Sequence, residues 1–238
     1  MPNIIKNDDD FISKLILAIE NQSIEEVKYI INNYTNIQNV DINKEDKNSN
    51  IVFTIAAKNN TNVTILQYLY NTFKYTTNIN KEQDNDGRTA FMLAARNNTN
   101  IQAIQYLCDI FKDTIQINQQ DKYGYTALML AVQYNTNIEI IQYLCNTFQN
   151  TIDINIQNKY NHETALMLAV QYNTNDEIIQ YLYNTFKDTI DINIQNKYNH
   201  ETTIMLATQY NTNDKIMIYL YNTFKDTIDI NTQNVRGY

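Results

Sequence analysis

Two histidines, His162 and His200, have the clearest capacity for metal or acid–base chemistry, and they lie 38 residues apart. A zinc ion shared between them would need a nitrogen atom of each within about 2.1 Å. Both stand between an asparagine and a Glu-Thr pair, which indicates equivalent positions in neighbouring structural repeats packed roughly 10 Å apart. That spacing excludes a shared metal without distortion. We therefore interpret both as exposed loop residues, with contact to a partner as the alternative.

The two cysteines, Cys108 and Cys145, offer redox or nucleophilic chemistry and lie 37 residues apart. A disulfide requires Cα atoms within about 7 Å, which is less than the roughly 10 Å expected between equivalent positions of packed helices. No further Cys or His is near either of them in sequence, as a metal or nucleophile site would require. The sequence therefore predicts free thiols with a structural role, at a position that Tyr70, Tyr183 and Tyr221 fill elsewhere.

Other catalytic and cofactor-binding patterns are missing from the sequence. Gly87, Gly124 and Gly237 are isolated, so no glycine-rich loop can cradle a phosphate. The run Asp8–Asp10 is interpreted as a solvated leader to the first helix rather than a cation site. No paired carboxylates and no Ser/His/Asp set stand outside the repeated pattern described below. We predict a protein that is not an enzyme, with no catalytic residue, no metal and no cofactor.

The acidic charge balance bears on partners and location. The formal net charge is −8 without a basic cluster, which disfavours nucleic acid and anionic membranes and is more compatible with a basic protein partner. The beginning of the chain has Lys14 inside its apolar stretch and is not a signal peptide. The longest apolar run there, Leu15–Ile19, is too short to span a bilayer. We predict a soluble, cytoplasmic protein.

An internal repeat organises the chain. The block from Asp153 to Asp176 recurs almost unchanged from Asp191 to Asp214, and more diverged copies recur upstream at steps of 37 or 38 residues. A period in this range is typical of stacked supersecondary units. The sequence predicts a single domain over residues 1–238 with about six repeats, at about 11–48, 49–86, 87–123, 124–161, 162–199 and 200–238.

Each repeat is predicted to contain helix, turn, helix and an extended finger. In the fourth repeat, Thr126–Val132 has helical spacing of small and apolar residues, Asn135–Asn137 breaks it, and a second apolar stripe ends near Phe148. Asp153–Ile156 is predicted to be extended and to lead into a turn. Capping boxes are predicted to start four second helices, at Ser23/Glu26, Thr99/Gln102, Thr136/Glu139 and Thr174/Glu177.

These residues resemble the ankyrin-repeat family. Its opening pattern D-x-x-G-x-T-P-L-H-x-A is similar to Asp121–Ala131, its second helix to Ile141–Cys145, and its closing D-V-N to Asp153–Asn155. The resemblance covers essentially the whole chain. It implies an all-α solenoid of helix-turn-helix units with short finger hairpins, whose concave face of fingers and first helices binds protein partners.

The chain departs from the family pattern in several places. Methionine, as in Met129, replaces the family histidine, so the hydrogen bonds of that histidine are predicted to be missing. The repeats exceed the family period of about 33 residues, and about three extra residues within Asn146–Thr151 are predicted to lengthen the second helix by nearly one turn. In the last two fingers glycine gives way to Asn161-His162 and Asn199-His200. A ladder of phenylalanines is predicted along the stack: Phe73, Phe111, Phe148, Phe186 and Phe224.

The 19 tyrosines fall into two groups. One group holds a consensus leucine position and is predicted to be core: Tyr68, Tyr106, Tyr143, Tyr181 and Tyr219. The other falls, with lysines and glutamines, where the family presents variable, partner-contacting residues. Tyrosine gives large contact area at low entropy cost, although codon bias alone also explains its abundance. The predicted partner-binding residues are Lys122, Tyr123, Tyr125, Gln133, Tyr134, Lys159, Tyr160, Gln171, Tyr172, Lys197, Tyr198, Gln209 and Tyr210.

The resemblance implies a non-catalytic module or adaptor that recognises a protein. The Asn-, Ile-, Lys- and Tyr-rich composition resembles ankyrin-repeat proteins of large amoebal viruses or AT-rich intracellular bacteria, which implies a host protein as partner. Two alternatives stay open: a structural protein that self-assembles, and a targeting part of a longer effector or ubiquitin-ligase adaptor. Asn234–Tyr238 matches a repeat opening and the last repeat keeps an apolar outer face, which predicts either further sequence or self-association through the C-terminal face.

Overall fold

The computed structural model describes most of the chain: residues 5, 7–47, 51–59, 62–73, 76–82, 84–173, 176–210, 214–229 and 231–237, without the side chains of 214 and 215. The described part contains twelve α-helices in six pairs and a single isolated bridge, between Glu82 and Thr89, but no strand. The all-α repeat fold predicted from the sequence is confirmed. The fingers are turns rather than hairpins of paired strands.

Each repeat contributes one helix pair. The two helices of a pair are joined by short loops, and the first helix is the shorter one in every repeat after the first. In chain order the helices are α1 Asp8–Glu20, α2 Ile24–Asn32, α3 Val52–Asn59, α4 Val63–Phe73, α5 Ala90–Asn97, α6 Ile101–Phe111, α7 Ala127–Tyr134, α8 Ile138–Phe148, α9 Ala165–Tyr172, α10 Asp176–Phe186, α11 Thr203–Tyr210 and α12 Asp214–Phe224.

The chain divides into two compact blocks, an N-terminal block of residues 1–116 and a C-terminal block of residues 117–238. In the N-terminal block, α3 packs between α1 and α5, and α4 packs between α2 and α6. In the C-terminal block, α9 packs between α7 and α11, and α8 packs against α10. First helices therefore form one layer and second helices another within each block. The single domain over the whole chain stays a prediction.

The first helices begin with a threonine cap that uses methionine. Thr126 Oγ1 accepts the amide of Met129 at 3.3 Å, and Met129 Sδ accepts the amide of Thr126 at 3.5 Å. Thr89 and Met92 form the same reciprocal pair. The prediction that the hydrogen bonds of the family histidine are missing did not anticipate this bond, in which the methionine thioether, a weak acceptor, accepts the cap amide.

The second helices are capped one residue later than predicted. Asn137, not Thr136, is the N-cap of α8, and its Oδ1 accepts the amide of Glu139 at 3.0 Å. Asn100, not Thr99, likewise caps α6. Asparagine is at least as good an N-cap as threonine, and its carbonyl reaches the second helical amide. The Ser23 cap of α2 is confirmed, and the pair at Thr174 lies partly outside the described residues.

The lengthened second helix ends in a repeated turn. Helix α8 continues through Phe148, whose carbonyl then accepts the amides of Thr151 at 2.9 Å and Ile152 at 2.8 Å. The predicted extension of the helix is thus present up to Phe148. All five phenylalanines of the predicted ladder end their helices and are buried. Ile154 is also buried, but it lies in a turn, so the prediction of an extended segment at Asp153–Ile156 is wrong.

An asparagine joins each repeat to the next at this turn. Asn118 Nδ2 donates to the carbonyl of Thr151 at 2.6 Å, and its Oδ1 accepts the amide of Asp153 at 3.0 Å. The side chain therefore satisfies two backbone groups that a strand pairing would otherwise serve. The same pair of hydrogen bonds, one donated and one accepted by the side chain, is made by Asn80, Asn155 and Asn193.

The tyrosines predicted to be core are only half-buried. Tyr181 uses its hydroxyl to contact the preceding repeat, donating to the carbonyl of Gln142 at 3.2 Å and to Asn146 Oδ1 at 2.6 Å. The prediction is wrong because a phenol in this position keeps its polar end at the surface between second helices. The half-buried set is Tyr68, Tyr106, Tyr143, Tyr181 and Tyr219.

The cysteines are buried and unpaired, as predicted. Cys108 is 1% exposed and Cys145 is fully buried, and both are free thiols. Desolvation of the thiolate raises the pKa of each to about 12 from an ordinary value of 9.0. Both therefore act as small apolar side chains in α6 and α8.

The last repeat buries some of its apolar residues and leaves others partly exposed. Leu206, Ile216 and Leu220 are at most 1% exposed, whereas Ile204, Met205 and Met217 are only half-buried. Ile218 and Tyr221 of α12 are exposed. The outward apolar surface of this repeat therefore includes residues of both its helices.

Candidate binding surface

The finger that directly precedes α7, the fourth finger, is a turn held by a buried aspartate. Asp121 Oδ1 accepts the amides of Tyr123 at 3.0 Å and Tyr125 at 2.8 Å, and the carbonyl of Asp121 accepts the amide of Gly124 at 2.9 Å. Gly124 has φ +83°, the left-handed region that glycine adopts without strain. A Cβ at Gly124 would lie 2.4 Å from the amide nitrogen of Lys159 in the next finger.

The fifth and sixth fingers, which directly precede α9 and α11, each have a histidine at the position equivalent to Gly124. His162 has φ +56° and His200 has φ +55°, and both are exposed. In the fifth finger the extra residue widens the turn, since the carbonyl of Asn158 accepts the amide of His162, four residues later rather than three. The wider turn gives a side chain the room that the fourth finger lacks.

Backbone hydrogen bonds connect the fingers of the C-terminal block. The amide of Lys159 donates to the carbonyl of Tyr123 at 2.7 Å, and the amide of Lys197 donates to the carbonyl of Asn161 at 2.7 Å. The amide of Val235 continues the series at 2.9 Å from the carbonyl of Asn199. Adjacent fingertips are thereby fixed in one register.

Two buried glutamates accept hydrogen bonds within the fifth and sixth fingers, and neither was predicted as a functional residue from the sequence. Glu163 is 3% exposed and its carboxylate accepts hydrogen bonds from Asn158, Asn161 and Gln171, the last at 2.8 Å. Glu201 is 6% exposed and accepts from Asn199 at 3.2 Å. The only sequence signal was an acidic residue directly before the cap threonine in these two repeats, where the fourth repeat has a tyrosine.

A row of tyrosines ends the first helices beside the fingers. Tyr172 lies close enough to Tyr134 and Tyr210 to interact electrostatically with both. Partial burial, and then the negative charge of Glu163, raise the pKa of Tyr172. These three side chains are 47–51% exposed. About half of each side chain is therefore available to a partner, and the rest is covered by the protein.

The fingertips carry a second row. Tyr160 and Tyr198 have ring centroids 6.3 Å apart in an edge-to-face arrangement, and Lys197 Nζ lies 5.6 Å from the centroid of Tyr198. Tyr160 is 62% exposed and Tyr198 is 58% exposed. The fingertip residues of the predicted set are all exposed: Lys122, Tyr123, Lys159, Tyr160, Lys197 and Tyr198.

Three predicted contact residues lie deeper than expected. Tyr125 is half-buried, and its pKa is raised to about 12, first by desolvation and then by the charge of Glu163. Gln171 is half-buried and holds Glu163. Gln133 is half-buried too, and no donor of the described residues lies within hydrogen-bonding distance of its buried Oε1. Gln209, by contrast, is exposed. The half-buried three support the surface rather than form its outer layer.

Metal-binding clusters and membrane-spanning helices are two further features that would bear on function. No group of three or more His, Cys, Asp or Glu side chains among the described residues is placed to hold a metal ion. None of the described helices has the length and hydropathy that crossing a membrane requires.

Stacked helix pairs joined by turn-like fingers define a class of protein, the helical repeat solenoid. A family model described as ankyrin repeats in three copies matches residues 53–158 and 146–234. The chain belongs to the ankyrin-repeat family. Ankyrin repeats generally act as protein–protein interaction modules, and their fold is in general a non-catalytic scaffold.

A solved structure supports the fold. The ankyrin-repeat domain of Bcl-3, described as a unique member of the IκB protein family, is similar to this chain with a TM-score of 0.68. The similarity covers 94% of this chain and 90% of that one at 18% sequence identity. At this identity the likeness establishes the fold alone. No curated protein matches the sequence significantly.

Proposed function

We propose that this protein is a non-catalytic adaptor that binds a partner protein through the fingers and first helices of its C-terminal block. The observation that carries the proposal is the double row of exposed tyrosines, on the first helices and on the fingertips. Exposed aromatic residues with a supported ring are typical anchors of protein interfaces, because they bury large area at low entropy cost. The composition supports the narrower proposal of a host protein as partner.

The supporting geometry is rigid. Backbone hydrogen bonds of 2.7 Å tie the fingertips at Lys159 and Lys197 to the preceding ones, and Tyr172 lies within electrostatic range of the buried carboxylate of Glu163. A preorganised surface loses less conformational entropy on binding than a mobile one. The 13 residues predicted from the sequence are thus best divided into an outer layer of ten and a supporting layer of Tyr125, Gln133 and Gln171.

A triple variant tests the proposal. Peptides selected from a phage-displayed random library on the wild-type protein should bind Tyr134→Ala/Tyr172→Ala/Tyr210→Ala at least about thirtyfold more weakly, since one anchor contributes about 2 kcal/mol or more. Affinity is measured by fluorescence anisotropy, and circular dichroism should show unchanged helicity.

The matched control removes exposed tyrosines from second helices. Tyr29 and Tyr221 are 51% and 57% exposed, so Tyr29→Ala/Tyr221→Ala should leave peptide affinity within experimental error. Equal loss in both variants, or no loss in the triple variant, would remove the tyrosine surface as the binding site.

Self-association is the second candidate function. It is favoured by the 60% exposure of Ile218 on α12, beside the exposed Tyr221. Apolar side chains of this size on one helix face can pack against a second copy. Sedimentation velocity over a wide concentration range should then show oligomers that Ile218→Gln disperses. A monomer at every concentration rules this candidate out.

A further inference from the structure

We propose that the segment seated on the fingertips is an acidic, extended protein segment; this rests on the binding function proposed above and names its partner chemistry. The inference rests on the positive charges that the fingers expose and the carboxylates that they bury. It runs against the expectation from net charge, which favoured a basic partner.

Three successive fingers of the C-terminal block each present one lysine. Lys122, Lys159 and Lys197 stand at equivalent places in three successive fingers, each directly before an exposed tyrosine, and all three are exposed. His162 and His200 add two exposed side chains that can carry positive charge. The ionisable side chains at the fingertips are therefore basic, apart from the tyrosines themselves.

The carboxylates of the same fingers do not reach the surface. Asp121, Glu163 and Glu201 are 1%, 3% and 6% exposed. Asp121 is engaged by backbone amides, and each glutamate accepts a hydrogen bond from an asparagine side chain of its own finger. A bound segment therefore meets lysine ammonium groups at the fingertips, while the compensating negative charge lies beneath.

The lysines are held in a fixed spacing. The backbone bonds from Lys159 to Tyr123 and from Lys197 to Asn161 set the register of the three fingertips. Lys197 also lies over the ring of Tyr198. A row of cations alternating with aromatic rings matches an extended segment whose acidic side chains point to one side and whose apolar atoms stack on the rings.

The local charge is opposite to the net charge of −8. At long range the chain repels an acidic partner, whereas within a Debye length of about 10 Å the fingertip lysines dominate. Binding of an acidic segment should consequently be short-ranged and sensitive to salt, because its ion pairs are solvent-exposed.

Synthetic peptides test the partner chemistry directly. Fluorescein-labelled dodecapeptides of alternating Glu-Ala and of alternating Gln-Ala are titrated with the full chain at low ionic strength, with an oligothymidine of twelve nucleotides as the nucleic-acid arm. We expect the Glu-Ala peptide to bind at least tenfold more tightly than the other two probes. We also expect added salt to remove the difference.

The variant pair changes the same net charge at two places. Lys122→Gln/Lys159→Gln/Lys197→Gln should weaken binding of the Glu-Ala peptide at least tenfold. The control Lys112→Gln/Lys187→Gln/Lys225→Gln removes three exposed lysines that directly follow the second helices α6, α10 and α12, and it should bind like the wild type. Circular dichroism of both variants checks folding.

Each other outcome overturns the inference. Equal binding of the Glu-Ala and Gln-Ala peptides, equal loss in both lysine variants, or tighter binding of the oligothymidine excludes an acidic protein segment. Library-selected peptides separate this failure from failure of the proposed function. One outcome is that the selected peptides are non-acidic, bind the fingertip lysine variant with wild-type affinity and bind the tyrosine triple variant more weakly. In that case the proposed binding surface is retained and only the acidic partner is excluded.

Discussion

Raising the pH from 8 to 10 should lower the free energy of unfolding of the wild-type protein by about 3 kcal/mol more than that of Cys108→Ala/Cys145→Ala. Burial raises the pKa of both thiols to about 12 in the folded protein, from 9.0 when solvated. Above pH 9 the unfolded chain releases these protons while the folded chain keeps them. The stabilisation is complete below pH 9 and is lost as the pH rises toward 12, at about 1.4 kcal/mol per thiol by pH 10.

Urea unfolding at the two pH values measures this effect. Each single cysteine variant should remove about half of the extra pH dependence, which separates the thiols from the tyrosines that ionise at higher pH. Reductant should not alter the melting temperature of the wild type, since the two thiols are unpaired. An identical loss of stability in wild type and double variant would show that the thiols ionise without unfolding.

Gly124→Ala should destabilise the protein by about 2–3 kcal/mol, the sum of about 1–2 kcal/mol for a left-handed alanine and about 1 kcal/mol for a lost hydrogen bond. The φ of Gly124 is +83°, and the new Cβ would lie 2.4 Å from the amide nitrogen of Lys159. The finger must move away, which breaks the bond from Lys159 to the carbonyl of Tyr123. Urea unfolding at neutral pH measures the change.

His162→Gly is the matched control, because His162 occupies the same place in a finger with a wider turn. Glycine relieves the left-handed strain but gains freedom in the unfolded chain, so the two terms largely cancel. We expect a change within about 1 kcal/mol. A small effect of Gly124→Ala, comparable to that of His162→Gly, would mean that the fourth finger relaxes without losing its contact with the fifth.

The fold was predictable from the sequence because the same sequence signals recur in successive repeats. Period, apolar spacing and breaker clusters agree in every copy, so one weak signal is reinforced by the others. Details that depend on a choice between neighbouring polar residues were not predictable in this way. Thr136 and Asn137 can both cap a helix, and only the loop geometry selects Asn137.

The candidate surface was predictable in outline for the same reason. Family positions indicated which tyrosines face outward, and six of them are 47–62% exposed. Depth was not predictable, because it depends on what lies under each side chain. Tyr125 is half-buried in the place that Glu163 takes one repeat later, and the two buried glutamates carry no pattern that distinguishes them from solvated ones.

The asparagine joint bears on how such a chain grows. Asn155 supplies both the donor and the acceptor, and the next repeat supplies only backbone groups of Thr189 and Asp191. Backbone groups are present whatever the sequence, so a duplicated segment of one period carries a complete joint and needs no second, compensating substitution. The nearly identical copies at 153–176 and 191–214 are what such tandem duplication leaves behind. Gain or loss of whole repeats is then a single genetic event that the fold can absorb.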